Sequence, residues 1–238
     1  MCGGGSERKV ATMTSRRRMK RLAQLFPDLL PSQRLRLQYD EEGLYSTTEQ
    51  RNATIMTEIL GDTVWLHAHQ PFSQVEVVDA TAGIGGNTLS FARYCHKVHA
   101  FELNFERWRM LRANVQMLQM GPKVSCYHGN FVTYLKVGYF RNQTVFFIDP
   151  PWGGLKYHKE RALSLSMSGV PLHRIVNLLP HTRETTVGLK VPLNFALDAF
   201  KKNLAPHVRI RGISHLRRMM LLVLCASPHH ARQTPWRA

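Results

Sequence analysis

The sequence predicts an α/β fold: a seven-stranded mixed sheet, parallel and doubly wound except for a C-terminal antiparallel hairpin, preceded by a small N-terminal helical extension. Three observations lead to this prediction. Short apolar runs alternate with helical patterns through the middle of the chain. A glycine-rich turn follows the first of these runs, as in sheets that bind nucleotides at their strand ends. The last two runs lie too close together for a helical crossover, so they must pair as a hairpin.

The chain is strongly basic. Its 238 residues carry a formal net charge of +16, and the length suits one main domain with an appendage. Such a charge attracts polyanions, so nucleic acid is the expected partner and an acidic membrane surface is the alternative. No apolar run approaches the ~20 residues that cross a bilayer. We therefore expect a soluble protein. We further expect a monomer that does not bind membranes.

The amino-terminal part has two expected sections. Residues 1 to 21 combine glycines with the basic run RRRMKR, which favours a disordered basic tail. The run has three open interpretations: a nuclear-import signal, a phosphate-binding arm, or a solvated tail. Residues 22 to 60 form the helical extension. Within it, Ser46 and Glu49 fit a capping box at the start of a helix.

The predicted core covers residues 61 to 228, and a tail of residues 229 to 238 follows. The expected strands are residues 75 to 79, 97 to 103, 123 to 128, 144 to 149, 185 to 191, 207 to 214 and 217 to 227. Helical patterns cover residues 86 to 95 and 105 to 120. The four cysteines are scattered and the histidines lack ligand spacing, so we expect a reducing compartment and no metal site.

The glycine-rich turn DATAGIGGNT occupies residues 79 to 88. Its glycines let a ligand approach the backbone where the strand ends and the helix begins. Glu102 ends the next strand, where an acid can accept both ribose hydroxyls of a nucleoside, and Asn130 follows the third strand, where an amide can read adenine. A nicotinamide cofactor would satisfy the same pattern, and a tight turn without any ligand is the structural alternative.

The stretch FFIDPPWGGLKY, residues 146 to 157, decides between these possibilities. An exocyclic amine on a nucleobase is a poor nucleophile because its lone pair is delocalised into the ring. Asp149 and the carbonyl of Pro150 can accept its hydrogens, and Trp152 can stack on the ring. Alternatively, Asp149 only forms a turn and Trp152 only fills the core.

Together these motifs resemble the trimethylguanosine synthase family, which methylates guanine N2 in 7-methylguanosine RNA caps. The similar pieces are VDATAGIGGNTLSFA, HGNFVTYL and FFIDPPWGGLKY, with QRLRL and LYSTTEQ upstream, and the resemblance covers roughly residues 33 to 226. It implies a Rossmann-like class I methyltransferase fold, S-adenosylmethionine as cofactor, no metal and capped RNA as partner. The expected products are 2,7-dimethylguanosine and 2,2,7-trimethylguanosine caps.

The resemblance also implies a role for each matching residue. Asp149, Pro150 and Trp152 would be catalytic, and Trp152, Lys156 and Asn194 would contact the substrate. The residues implied to bind the cofactor are Ser46, Thr48, Asp79, Ala82, Gly83, Gly85, Asn87, Glu102, Asn130, Phe131 and Asp149. A 7-methylated guanine is cationic, so stacking on the Trp152 indole would gain ~0.5 to 2 kcal/mol of cation–π energy that unmethylated guanine does not elicit.

Several positions depart from the family pattern. Thr81 replaces a Phe, Asn130 replaces an Asp, and the segment between residues 37 and 45 is short. Leu193 stands in place of an Arg expected to contact phosphate, and Lys156, Lys190 or the basic arm are the candidates to replace it. The departures leave two further hypotheses open: methylation of an internal adenine or guanine of RNA, and a non-catalytic RNA-binding relative. A cap substrate and the RRRMKR run favour a nuclear or nucleolar location, with some protein in the cytoplasm.

Overall fold

A computed structural model describes residues 15–140, 145–181 and 183–228, without the side chains of residues 155 and 156. It confirms the predicted fold class. The first fourteen residues and the whole of the expected C-terminal tail, residues 229 to 238, lie outside the described residues. Within the described ranges no helix is long and apolar enough to cross a membrane.

Seven strands form the main sheet, in the order β3-β2-β1-β4-β7-β9-β8. Their bounds are β1 Glu76–Asp79, β2 Lys97–Glu102, β3 Val124–His128, β4 Val145–Ile148, β7 Thr185–Pro192, β8 Val208–Leu216 and β9 Met219–Ala226, with a small separate hairpin of β5 Ser166–Met167 and β6 Val170–Pro171. The pairs β1–β2, β2–β3, β1–β4 and β4–β7 are parallel, whereas β7–β9 and β8–β9 are antiparallel. The predicted hairpin is therefore confirmed.

Helices cover both faces of this sheet. Their bounds are α1 Ser15–Leu25, α2 Pro31–Arg36, α3 Glu41–Ser46, α4 Gln50–Ala68, α5 Gly86–Tyr94, α6 Phe105–Met117, α7 Phe131–Lys136, α8 Leu172–Asn177 and α9 Leu197–Lys202. Successive strand residues point to opposite faces. Val77 and Phe147 pack with the extension, α5 and α6, whereas Val78 and Phe146 pack with α7, α8 and α9. The core thus lies on both sides of one sheet.

The extension is part of that core and is not a separate unit. Leu22 and Leu25 of α1 and Met56 and Leu60 of α4 are buried in the same cluster as strand residues. The expected boundary at residue 60 is wrong, because α4 continues to Ala68. The cause is the apolar face of α4, which packs on the sheet along its length.

The expected basic tail is also shorter than predicted. The run RRRMKR lies in α1, where Arg18 is 3.5 Å from the Glu41 carboxylate and Arg21 is 2.8 Å from the Glu49 carboxylate. These ion pairs, together with the burial of Leu22, hold the helix on the extension. The disorder that we predicted from the local charge density is therefore wrong for residues 15 to 21.

The predicted capping box is wrong. Ser46 ends α3, and its hydroxyl donates to the Glu42 carbonyl at 2.8 Å. Glu49 is the N-cap residue of α4 and makes no side-chain capping bond. The side chain of Glu49 accepts from Arg21 instead, since an ion pair between two helices competes with the local cap.

Candidate active site

The candidate site lies at the carboxyl ends of the central strands. Chain order runs outward from β1 to β3 on one side and from β4 to β7 on the other, so β1 and β4 form the switch point where open α/β sheets bind ligands. Asp79 ends β1, Glu102 ends β2 and Asp149 follows β4. Parallel pairing brings the three acids to one edge.

The glycine-rich turn is held in place by Glu102. Gly83 has φ +55°, and its N–H donates to Glu102 Oε2 at 2.9 Å. The other carboxylate oxygen accepts from Asn104 N at 2.8 Å. A Cβ added at Gly83 would meet nothing within 4 Å, so the backbone here borders open space that a ligand can enter.

Asp79 is fully buried beneath this turn and is bound by neutral donors. The Thr88 hydroxyl donates to Asp79 Oδ2 at 2.6 Å, and Thr81 N donates to Oδ1 at 3.3 Å. Burial raises the pKa of Asp79 to about 7, the hydrogen bonds oppose the rise, and the nearby Asp149 and Glu102 add to it. The carboxyl is therefore poised to change charge near neutral pH.

Asp149 differs from Asp79 because its carboxylate is paired with a charged group, the ammonium group of Lys190. Lys190 Nζ lies 2.5 Å from Asp149 Oδ2 and also donates to Thr48 Oγ1 at 2.9 Å. The Lys190 side chain is 5% exposed and that of Asp149 is 16% exposed. Burial raises the pKa of Asp149, and the ammonium group of Lys190 opposes this rise. The backbone N–H of Asp149 donates to the Thr81 hydroxyl at 2.9 Å, a bond that the expected Phe could not accept.

Trp152 is half-buried beside this ion pair. Lys190 Nζ lies 5.3 Å from the ring centroid, and the Tyr157 ring meets Trp152 edge-on at 5.1 Å. The indole packs against the core, yet its Nε1 is buried without a hydrogen-bond partner among the described residues. Pro150 is buried, which fixes the corner between Asp149 and the indole. The ring is thus neither a fully buried core residue nor a free surface residue.

The extension contributes Thr48 to the site but not Ser46. Thr48 is 3% exposed and accepts from Asn87 Nδ2 at 3.0 Å as well as from Lys190. Ser46 is exposed, and its hydroxyl is occupied by the backbone of α3. A Cβ at Gly86 would come within 2.6 Å of the Thr47 methyl group, so glycine there allows this segment to lie against the start of α5.

Two expected residues are engaged in the protein itself. Asn130 is the N-cap of α7, and its Oδ1 accepts from Val132 N at 3.0 Å. The Phe131 ring is 2% exposed and packs among other rings, so it does not border an open site. The requirement to cap α7 and to fill the core occupies both side chains.

The side-chain amide nitrogen of Asn194 also has a structural role. It donates to the carbonyls of Tyr157 and Glu160 at 2.9 and 2.7 Å, which fastens the 3₁₀ turn after Trp152. A cleft of about 440 Å³ adjoins this turn. Its lining is formed by Tyr157, His158, Leu193, Asn194 and Arg218. The Lys156 side chain lies outside the described residues.

Sequence reasoning missed the role of Lys190. We named it as one of three candidates for the missing phosphate contact, but it is buried and paired with Asp149. A signal was present in the chain: a single lysine interrupts the otherwise apolar end of the strand TTVGLKV. A lysine in a fully buried strand requires an acid, and Asp149 ends the neighbouring strand.

The site can be tested for its fit to S-adenosylmethionine. Asn87 Oδ1 is a buried acceptor without a partner among the described residues, close to where α5 begins. The ammonium group of the cofactor's methionine portion is a suitable donor for it. Glu102 is rigidly held by two N–H groups and suits a ribose diol. These residues fit the cofactor, and within the described residues no cluster of His, Cys, Asp and Glu suited to a metal ion occurs.

Comparison with known protein sequences identifies a matching family and two similar proteins. A family model for RNA cap guanine-N2 methyltransferase matches residues 74 to 211, more than half of the chain. An uncharacterized protein of Acanthamoeba polyphaga mimivirus is 28% identical over 211 residues, covering 82% of this chain and 81% of that protein. The trimethylguanosine synthase of Schizosaccharomyces pombe is 28% identical over 131 residues, covering 53% of this chain and 51% of that enzyme.

Solved structures share the fold at low sequence identity. A putative methyltransferase from Porphyromonas gingivalis is 15% identical with a TM-score of 0.61, covering 88% of this chain and 48% of that one. A putative methyltransferase from Escherichia coli is 15% identical with a TM-score of 0.50, covering 73% of this chain and 86% of that one. At this identity the comparison shows that the chain shares the overall fold of these proteins.

Proposed function

The chain belongs to the RNA cap guanine-N2 methyltransferase family, and from this premise we propose that it methylates the exocyclic N2 amine of 7-methylguanosine RNA caps. The observation that carries the proposal is the corner after β4. An acid paired with Lys190 and a half-buried indole lie side by side there, at the edge where the cofactor-suited residues also lie.

S-adenosylmethionine, when bound, would supply a methyl group whose bond to sulfur breaks as the N2 lone pair forms the new carbon–nitrogen bond, the electron pair remaining on sulfur. Glu102, Asn87 and the Gly83 backbone are the groups that would hold it. Asp79, Ala82, Gly85 and Thr48 are proposed to line the same side. Asn130 Oδ1 already caps α7, so Asn130 would contact the cofactor only through atoms or lone pairs that the cap does not use.

Asp149 would orient the amine. Its carboxylate and the Pro150 carbonyl would accept the two N2 hydrogens, which directs the nitrogen lone pair and restrains rotation of the base. As nitrogen forms the bond it gains positive charge, and a carboxylate at hydrogen-bond distance stabilises that charge. The proton then leaves the nitrogen for the carboxylate or for water. A second transfer would give 2,2,7-trimethylguanosine.

Trp152 would select for the 7-methylated base. Lys190 lies over the ring, but its charge is balanced by Asp149, so the indole retains attraction for a cationic base at its remaining surface. Cation–π attraction of ~0.5 to 2 kcal/mol would separate 7-methylguanine from guanine. Arg218, in the same cleft as Leu193, is the proposed replacement for the missing phosphate contact. Cap substrates and the basic α1 together support a nuclear or nucleolar location.

The test is a mass spectrum of 7-methylguanosine cap dinucleotide after incubation with the protein and S-adenosylmethionine. The proposal expects a gain of one or two methyl masses there and none on unmethylated cap. Trp152→Ala should lower kcat/KM about tenfold to a hundredfold from lost stacking. Trp65→Ala, at an exposed tryptophan of α4, is the matched control. Full activity of Trp152→Ala would refute the stacking role.

A second candidate, methylation of an internal adenine or guanine of RNA, is favoured by Leu193. It is 51% exposed, lines the same cleft as Tyr157, and offers no charge to a cap triphosphate. Equal methylation of capped and uncapped transcripts would favour this candidate. A non-catalytic RNA-binding role would instead require that calorimetry detect no cofactor binding at micromolar concentrations.

A further inference from the structure

Lys190 occupies a position that normally excludes a charge. Every residue of β7 is buried, and the strand lies between β4 and β9 in the sheet. Removing an ammonium group from water is unfavourable unless the group is paired and hydrogen-bonded. A hydrophobic side chain would fill this place without that cost. The lysine therefore needs an explanation beyond packing.

The two carboxylate oxygens of Asp149 differ because Lys190 binds only one of them. Oδ2 accepts from Lys190, whereas Oδ1 has no hydrogen-bond partner within the described part of the chain. The Asp149 side chain is still 16% exposed. One oxygen is thus bound to the protein and the other is available to a ligand. The same ammonium group binds Thr48, so the extension, β4 and β7 meet at one atom.

We propose that Lys190 is a positioning residue of the active site: it holds one oxygen of Asp149 and keeps the carboxylate charged, so that the other oxygen can accept the substrate's amine. This inference rests on the proposed function. It assigns Lys190 an action on Asp149 and no contact with phosphate.

The charged surroundings of Asp149 make this role specific. Burial favours the protonated carboxyl, which could not accept the amine in the same way. The acid coupled to it is Asp79 of β1, since the negative charges of Asp79 and Asp149 disfavour each other. Thr48, Thr81 and Trp152 are neutral. Among the described groups, Lys190 is the cation that opposes these effects.

The experiment measures the charge of Asp149 directly and then the reaction. The carbon-13 shift of the Asp149 carboxyl, assigned with Asp149→Asn, is titrated without substrate in the full chain and in Lys190→Met. Loss of an adjacent opposite charge should raise the Asp149 pKa by about one to three units. The acidic limb of the kcat profile on 7-methylguanosine cap should move upward with it. An unchanged titration would overturn the proposal.

Lys190→Arg keeps the charge and guards against misfolding of the methionine variant. It should leave the acidic limb where it is and lower kcat, because a planar guanidinium group cannot reproduce the geometry of the ammonium group. An acidic limb that moves as far in Lys190→Arg as in Lys190→Met would also overturn the proposal. If the unaltered chain methylates no cap while its Asp149 titration responds to Lys190→Met, the proposed function fails and the charge coupling stands.

Discussion

Two aspartates, one buried and one partly exposed, lie at the ends of adjacent parallel strands and have different hydrogen-bond partners. Asp79, after β1, is bound by a hydroxyl and a backbone N–H. Asp149, after β4, is bound by the ammonium group of Lys190. Burial raises the pKa of the first carboxyl to about 7 because its neutral donors only partly oppose the rise, whereas the second has a cation that opposes its protonation.

The difference extends to the whole of each corner. The corner after β1 uses backbone and glycines: Gly83 donates to Glu102 and leaves open space where a Cβ would lie. The corner after β4 uses side chains: Lys190 pairs with Asp149 and lies over the Trp152 ring. Backbone groups suit a ligand that every member of a fold binds, whereas side chains can be chosen for one substrate. We therefore associate the first corner with the cofactor and the second with the base.

The largest expected effect separates the two acids. Asp149→Asn should lower kcat by about 10² to 10³-fold, since it removes the charge that stabilises the developing cation. Asp79→Asn should cost no more than about tenfold, because near pH 7 that carboxyl is already partly protonated. Single-turnover methylation of 7-methylguanosine cap measures both. Equal losses would contradict the division between the corners.

A substitution in the corner after β1 should have a smaller effect, which is limited to cofactor binding. Gly83→Ala places a residue with a side chain at φ +55°, which strains the turn by about 1 to 2 kcal/mol, and fills the adjoining open space. Cofactor affinity should fall at least tenfold while the affinity for capped RNA is unchanged. Calorimetry with each ligand measures the two affinities, and Gly121→Ala, at an open position with ordinary φ, is the control.

The pH dependence of stability should distinguish the corners without any ligand. The pKa of Asp79 rises from 3.8 to about 7 on folding, so its contribution to stability is complete below 3.8 and is lost as the pH rises through 7. Asp79→Asn removes this loss. The difference in melting temperature between the variant and the unaltered chain should therefore shift in favour of the variant from about pH 4 to about pH 8. A constant difference would show that Asp79 does not titrate abnormally.

The smallest expected effect lies at the edge of the second corner. Arg218→Gln should raise KM for capped RNA by about threefold to tenfold at low salt, and by less at high salt, because screening weakens a single exposed contact. Cofactor affinity should not change. Arg161→Gln, at another exposed arginine outside the cleft lining, is the control. A salt-independent change in KM would refute a phosphate contact.

Much of the fold was predictable because its signals are local. Alternating strand and helix patterns, the glycine turn and the closely spaced last strands suffice for the fold class and for the C-terminal hairpin. The errors came from long-range contacts. Arg21 binds Glu49 across the extension, which removed the expected cap, and Leu22 docks α1 despite its basic sequence. Local patterns cannot report partners that are distant in the chain.

The sequence by itself determined which chemical groups lie at the strand ends, because strand boundaries and chain order place Asp79, Glu102 and Asp149 at one edge of the sheet. Only the tertiary structure decided what each group does there. Lys190 is 41 residues from Asp149 and 142 from Thr48, yet one ammonium group binds both. Packing removes these groups from water, and a buried charge then depends on whichever partner the fold brings within hydrogen-bond distance.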